Sequence, residues 1–191
     1  MYPEDTAEQS MFMYTWPDVR TVYAGIYLQD KMNWKQVHSL QYAAGTGMHH
    51  NTVASEFGLN SLRIFYPDMA AEKSRPVSSA QVGYSLMKHG LEWNLGAGYG
   101  ERAPSVSEAY GFYLFNSFDG YDYIGNPYLK NEKSIELQTY LSYKQPKIKA
   151  NMSASYFHIF DYIIGIHQPE LSPMTIGASG VRVYPLIMAP T

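Results

Sequence analysis

The chain of 191 residues has no cysteine, few charges and no long apolar run. Each shortage removes a class of protein. Without cysteine there are no disulfides, thiolate metal sites or cysteine nucleophiles, and nothing firm follows about redox compartment. Only 16% of the residues are charged, the formal net charge is −3, and no Lys/Arg-rich stretch departs from that average. Nucleic acid needs concentrated positive charge, so no nucleic-acid partner is expected. No stretch reaches the ~18 to 20 uninterrupted apolar residues of a membrane helix, and the acidic start Met1-Tyr2-Pro3-Glu4-Asp5 is unlike a signal peptide. One kind of membrane protein stays open. A transmembrane β-barrel hides its apolar surface in alternation, roughly ten residues per strand, and keeps an unremarkable mean hydropathy.

What the chain does have is tyrosine and glycine. Aromatics make up 15% of it, with 18 Tyr and 15 Gly, a mixture that suits strands and turns better than helices. The organising stretch runs from Glu92 to Tyr143. Trp93, Leu95, Ala97 and Tyr99 alternate with Glu92, Asn94, Gly96 and Gly98, and Ile135, Leu137, Thr139, Leu141 and Tyr143 alternate with Ser134, Glu136, Gln138, Tyr140 and Ser142. A period of two means strands with one oily and one polar face.

The same plan recurs along the chain. Met1 to Pro17 reads as a loop carrying Met11 and Met13. Strands are expected at about Thr21 to Asp30, His38 to Met48 and Ser78 to Met87, then at the two runs above, and from Ile148 through His158 towards Ile166. Gly180 to Tyr184 reads as the start of a seventh. Short turns fall near Lys31 to Gln36, Lys88 to Gly90 and Lys144 to Lys147. Long loops fall at Met48 to Val77, Gly100 to Lys133, which holds a helical turn at Ser105 to Ala109, and about Gly165 to Gly180. In an antiparallel meander alternate connections lie at opposite ends, so every short turn is at one end and every long loop at the other. That asymmetry fits a barrel with short periplasmic turns and long extracellular loops. The fold class expected is all-β: an antiparallel up-and-down meander, part of a transmembrane β-barrel of about six to seven strands.

Candidate site residues sit mainly in the long loops. Tyr110, Tyr113, Phe115, Phe118, Tyr121 and Tyr123 crowd one of them and could stack on a planar, glycan or cationic ligand, or equally serve as loop packing and interface residues. Arg102 could attract an anionic chelate, although an ion pair to an acid such as Glu136 is the commoner use of such an arginine. Met48, His49 and His50 are weak candidates for a soft metal, with ordinary loop residues the better reading. Asp119, Asp122 and Glu101 carry no spacing that marks an acid and base pair, so neither catalysis nor a cofactor is expected.

The specific signal is Gly100-Glu101-Arg102-Ala103-Pro104-Ser105-Val106-Ser107-Glu108-Ala109-Tyr110-Gly111 followed by Gly125-Asn126-Pro127-Tyr128-Leu129-Lys130-Asn131-Glu132. These runs resemble the "G-x-R-A-P-S-x-x-E-L-Y-G" and "G-N-P-x-L-K-P-E" runs of TonB-dependent outer-membrane receptors, with Ala109 where Leu is usual and Asn131 in place of Pro. Ala24-Gly25-Ile26-Tyr27-Leu28-Gln29-Asp30 is similar to a "G-x-Y-x-Q-D" strand of the same family. The resemblance implies a place in the outer membrane of a Gram-negative bacterium, in contact with its lipid. It implies a parent protein that imports a metal chelate such as a ferric siderophore, or else haem, cobalamin, copper or a glycan, coupled to the TonB system through a plug domain. The chain as a whole, 1–191, then reads as a piece of the C-terminal part of such a barrel, with the plug and the remaining strands absent. Alone it is not expected to transport. The rival is a soluble β-sandwich carbohydrate-binding module, in which the apolar faces of two sheets pack on each other.

Overall fold

The computed structural model describes residues 15–185; Met11 and Met13 lie outside them. In chain order the elements are β1 (Val19–Trp34), β2 (His38–Val53), α1 (Glu56–Arg63), β3 (Glu72–Lys88), β4 (Leu91–Arg102), α2 (Val106–Tyr110), β5 (Leu114–Asn116), β6 (Tyr121–Ile124), β7 (Glu132–Gln145), β8 (Ile148–Phe160), β9 (Ile166–His167) and β10 (Val181–Val183). The six long strands make one antiparallel sheet in the order β1-β2-β3-β4-β7-β8, an up-and-down meander.

Register turns the alternation of single strands into two continuous faces. Leu28 lies beside Ala44, Ala44 beside Ala80, Ala80 beside Tyr99 and Tyr99 beside Ile135, and two residues along, Val82, Ala97, Leu137 and Tyr156 form the next row. Trp34, Leu86, Trp93, Leu141 and Met152 share a row near the short turns. The opposite face carries Gln29, Gln81, Gly98 and Glu136 in one row and Lys31, Gln41, Gly83, Gly96, Gln138 and Ser155 in the next. Since paired residues in an antiparallel ladder project to the same side, a slip of one residue would scatter this separation.

Two hairpin turns at the short end need a left-handed backbone. Lys35 and Gln36 take φ of 50° and 55° in the three-residue connection between Trp34 and His38, and His89 and Gly90 take 48° and 82° between Lys88 and Leu91, the handedness that follows strand twist into a two-residue turn. A Cβ on Gly90 would lie 2.2 Å from the Lys144 carbonyl oxygen, so the β3–β4 turn admits no side chain there.

The long loops are folded rather than loose. They carry both helices and a second sheet, ordered β5-β6-β10-β9, in which β10 runs parallel to β6. The main hydrophobic cluster is here: Leu62, Met69, Ala109, Tyr110, Phe112, Tyr113, Ile124 and Val181 pack together with Val53 from the end of β2. Phe65 closes on Phe112 and Tyr113 with ring centroids 6.0 and 6.2 Å away. The molecule thus has a cored cap at one end of a sheet whose apolar face, with Ile26, Leu28, Val82, Leu137 and Met152, stays uncovered among the described residues. That arrangement runs against the sandwich reading.

Several boundaries differ from expectation. The expected seventh strand is β10, which joins the cap sheet instead of the meander. The sixth stops at Phe160, where Asp161 enters the left-handed region at φ 52°. The long strands run to 17 residues because β2 continues to Val53 and β3 begins at Glu72, inside the segment read as loop. Polar side chains at those ends masked the alternation.

Ile124 is fully buried in the cap. Ile124→Ala is expected to destabilise the cap by about 2–5 kcal/mol, the usual range for emptying such a site, and to raise thermolysin cleavage in the loops while the far-UV β-signal of the sheet persists.

Candidate ligand-binding site

The two motif runs meet in space and tie the cap to the sheet. Arg102, the last residue of β4, donates from Nη1 to Glu108 Oε2 at 2.8 Å, and from Nη2 to Glu108 Oε1 at 3.1 Å and Glu132 Oε2 at 3.2 Å. Glu108 is also the third residue of α2, where it accepts from the Ser105 backbone N–H at 2.7 Å while Ser105 Oγ accepts from the Glu108 N–H at 3.2 Å. This capping box satisfies two helix-end donors reciprocally. Glu132 additionally accepts from the Ile163 N–H at 3.2 Å. One guanidinium therefore joins the start of α2, the start of β7 and the chain beyond β8.

The second run closes on the first by close approach of backbones. A Cβ on Gly125 would lie 2.6 Å from the amide nitrogens of both Gly111 and Tyr110, which accounts for glycine at this position. Gly125 N–H donates to the Gly111 carbonyl at 2.7 Å, Asn126 N–H to the Glu108 carbonyl at 2.8 Å, and the Asn126 side-chain amide to the Tyr184 carbonyl at 2.8 Å. Burial alone would push the Glu108 carboxyl up, but hydrogen bonds from Arg102 and Ser105 outweigh it and hold it below its ordinary value. Arg102 is thus bound by Glu108 of the cap and Glu132 at the start of β7, and Glu136, the partner expected for it, lies further along the polar face of β7.

The crowded aromatic loop divides into three. Tyr110, 1% exposed, and Tyr113 are core residues of the cap with no face left for a ligand. Phe115 and Phe118 stand in solvent, Phe118 being 99% exposed at the tip between β5 and β6. Tyr121 and Tyr123 flank Arg182, whose Cζ lies 4.3 and 6.0 Å from their ring centroids. Asp119 Oδ2 is 3.3 Å from Arg182 Nη1 and accepts from the Tyr123 hydroxyl. Burial and then the Asp119 hydrogen bond push the Tyr123 phenol up. Asp122, fully buried, accepts at Oδ2 from the Met174 and Thr175 amides at 2.8 and 2.9 Å, which pins the last loop to the cap. Neither acid is set against Glu101, so these carboxylates build structure rather than a hydrolytic pair.

Met48, His49 and His50 lie within β2 rather than in a loop, and alternation sends the two histidines to opposite faces. His49 packs on Tyr23 with ring centroids 4.7 Å apart, whereas His50 bonds Ser74 across the other face. They cannot share an ion. Among the described residues no group of three or more His, Asp or Glu is placed to hold a metal.

The polar face is concave and encloses about 730 Å³, lined by Lys31, Gln41, Gln81, Glu136, Gln138 and Ser155 among others. The cap stands at one end of this space and the short turns at the other. Arg182, Lys73 and Arg75 are cationic residues of the cap and of the polar face that the motif reading did not single out. Lys73 and Arg75 share a parity in Lys73-Ser74-Arg75, a signal legible only once β3 is known to begin at Glu72.

A six-stranded antiparallel meander with one apolar and one polar face, capped by its own loops, defines an all-β protein with an antiparallel sheet. The chain belongs to the family described as TonB dependent receptor-like, beta-barrel, whose model matches residues 2–166. Membership carries a receptor and transporter role in the Gram-negative outer membrane, and it is not the membership of an enzyme. No curated protein matches the chain.

The low Glu108 pKa fixes the sign of an acid response. The folded value lies below the ordinary 4.5, so the stabilisation is complete above that pH and is lost as pH falls through the depressed folded value. Acidification from pH 7 to 3 is expected to loosen α2 and raise cap proteolysis. Glu108→Gln should weaken the cap already at pH 7, in the range of about 0.5–2 kcal/mol seen for lost caps, and flatten the pH response.

Proposed function

We propose that the six long strands are an arc of a transmembrane barrel, and that the receptor they belong to imports a metal chelate, such as a ferric siderophore, by TonB-coupled transport. The observation that carries the first half is the separation of faces in one register. Large apolar side chains on one face have no protein against them, an exposed area that suits lipid and is costly in water. Near the short turns the same face bears Trp34 stacked on His38 at 5.3 Å, His38 bonded to the Tyr84 hydroxyl at 2.8 Å, and Trp93 donating to Thr139 Oγ1 at 3.1 Å. Amphipathic rings in a row are what a membrane interface selects. The polar concave face is then the lumen.

β1 and β8 have no outer neighbour among the described residues. An open edge in lipid leaves a row of backbone donors and acceptors unpaired, which costs several kcal/mol per group, so further strands complete the ring. A plug domain within that ring would carry the contact with TonB. Exposed Phe115 and Phe118, and the Arg182 cluster with Tyr121 and Tyr123, offer stacking and charge at the outer mouth for a planar metal chelate.

In plain buffer the chain is expected to aggregate, and in detergent micelles or lipid vesicles to show a β-type far-UV spectrum, with Trp34 and Trp93 fluorescence quenched by brominated lipid. A monomeric, cooperatively folded β-protein in buffer would sink the barrel reading. For the cargo, a ferric siderophore titrated into the reconstituted receptor should quench its tryptophan fluorescence, and no quenching by any ferric chelate would remove the metal-chelate assignment.

A further inference from the structure

We propose that Lys73 and Arg75, on the concave face of β3 beneath the Pro127-Tyr128 segment, form an oxyanion-binding subsite that takes a carboxylate or phosphate group of a small-molecule ligand. The subsite rests on the transporter reading only for what carries the anion there.

Arg75 is 4% exposed, yet its guanidinium has a single bond, from Nη2 to the Pro127 carbonyl at 2.8 Å. Its Nε and Nη1 are buried without a partner among the described residues. A guanidinium presents five donors in a rigid fork suited to a carboxylate or phosphate, and burying it with two nitrogens unsatisfied is unfavourable unless something occupies that side. Lys73 is two residues away on the same face of the strand, about 7 Å along it. Its Nζ is 5.4 Å from the centroid of the Tyr128 ring, which Tyr66 meets edge-on at 5.8 Å. Neither cation has a carboxylate within ion-pair distance among the described residues, in contrast to Arg102 and Arg182. His49 stands opposite Arg75 in the ladder and Asn51 opposite Lys73. Two adjacent positive charges without a counter-ion, one buried with free donors, make a receptor for negative charge. Arg102, the sequence candidate for that task, is already neutralised by Glu108 and Glu132.

The group reached first is Lys73, which lies partly open over the ring of Tyr128. Arg75 is reached as the Pro127-Tyr128 segment lifts, which releases Nη2 from the Pro127 carbonyl and lets an anion take a two-nitrogen edge of the guanidinium, Nη2 with Nε or with Nη1.

The test uses the full chain in detergent micelles, with citrate and inorganic phosphate as probes, read by calorimetry. Citrate or phosphate is expected to bind with an affinity that falls as salt is added. Arg75→Gln should weaken it by about tenfold or more, Arg75→Lys by less, and Lys73→Gln with Arg75→Gln together should abolish it. Lys149→Gln, at the far end of β8, should leave it unchanged. Preference between the two probes identifies which oxyanion the fork suits. A second readout is independent of how the variants fold: in wild type carrying isotope-labelled arginine, the Arg75 Nε–H resonance should shift on titration. An unmoved resonance, or binding that survives the double substitution, overturns the subsite. Insertion into lipid is scored separately, so loss of the anion response with insertion intact removes the subsite alone, whereas failed insertion with a normal anion response removes only the transporter reading.

Discussion

The constraint on which the rest depends is the two-residue period held in register across six strands. Each strand by itself offers only a modest contrast between its faces, and several positions break the pattern, such as Asp30 on the apolar side and Val77 on the polar side. Pairing sums the contrast. Once Leu28, Ala44, Ala80, Tyr99 and Ile135 lie in one row, the apolar face is continuous, and the register is specified because any odd slip would place glutamines and glutamate among leucines. Asp30 is kept tolerable by the Tyr42 hydroxyl, which donates to it at 3.1 Å.

A sheet whose apolar face is uncovered among the described residues has no core of its own, so the cored part of the protein is elsewhere. The cap supplies it, and Arg102 connects the two. Its three bonds reach residues that are far apart in sequence but share one junction, where β4 leaves the sheet and β7 returns. The interval between these strands can then hold α2, β5 and β6 without loosening the β4–β7 ladder. The proposed function rests on the same division: the polar concave face would be the inner wall, and the cap would hold the aromatic and charged side chains at its mouth.

Much of this was legible in the residues. Glu92 to Tyr99 and Ile135 to Tyr143 announced strands by alternation, Ser105 and Glu108 announced the capping box by spacing, and the two motif runs carried the family. The arginine's partners were not legible, because Glu108 and Glu132 lie six and thirty residues from Arg102, and nothing in one dimension ranks them above Glu136. The crowded aromatic loop misled for a related reason. A tyrosine that packs under α2 and one that stands in solvent are chemically the same letter, so Tyr110 and Tyr113 looked as available as Phe118.

The sequence by itself determined the presence of the six long strands, their two faces, the end at which the short turns fall and the family, because each of these is written in local periodicity or in a short run. Only the tertiary structure decided that the loops form a cored cap, that Val181 to Val183 joins β6 in parallel, and that Lys73 and Arg75 stand without counter-ions among the described residues while Arg102 and Arg182 are neutralised. Those outcomes depend on which distant side chains compete for the same space and the same charge, and that competition is settled only when the chain is folded.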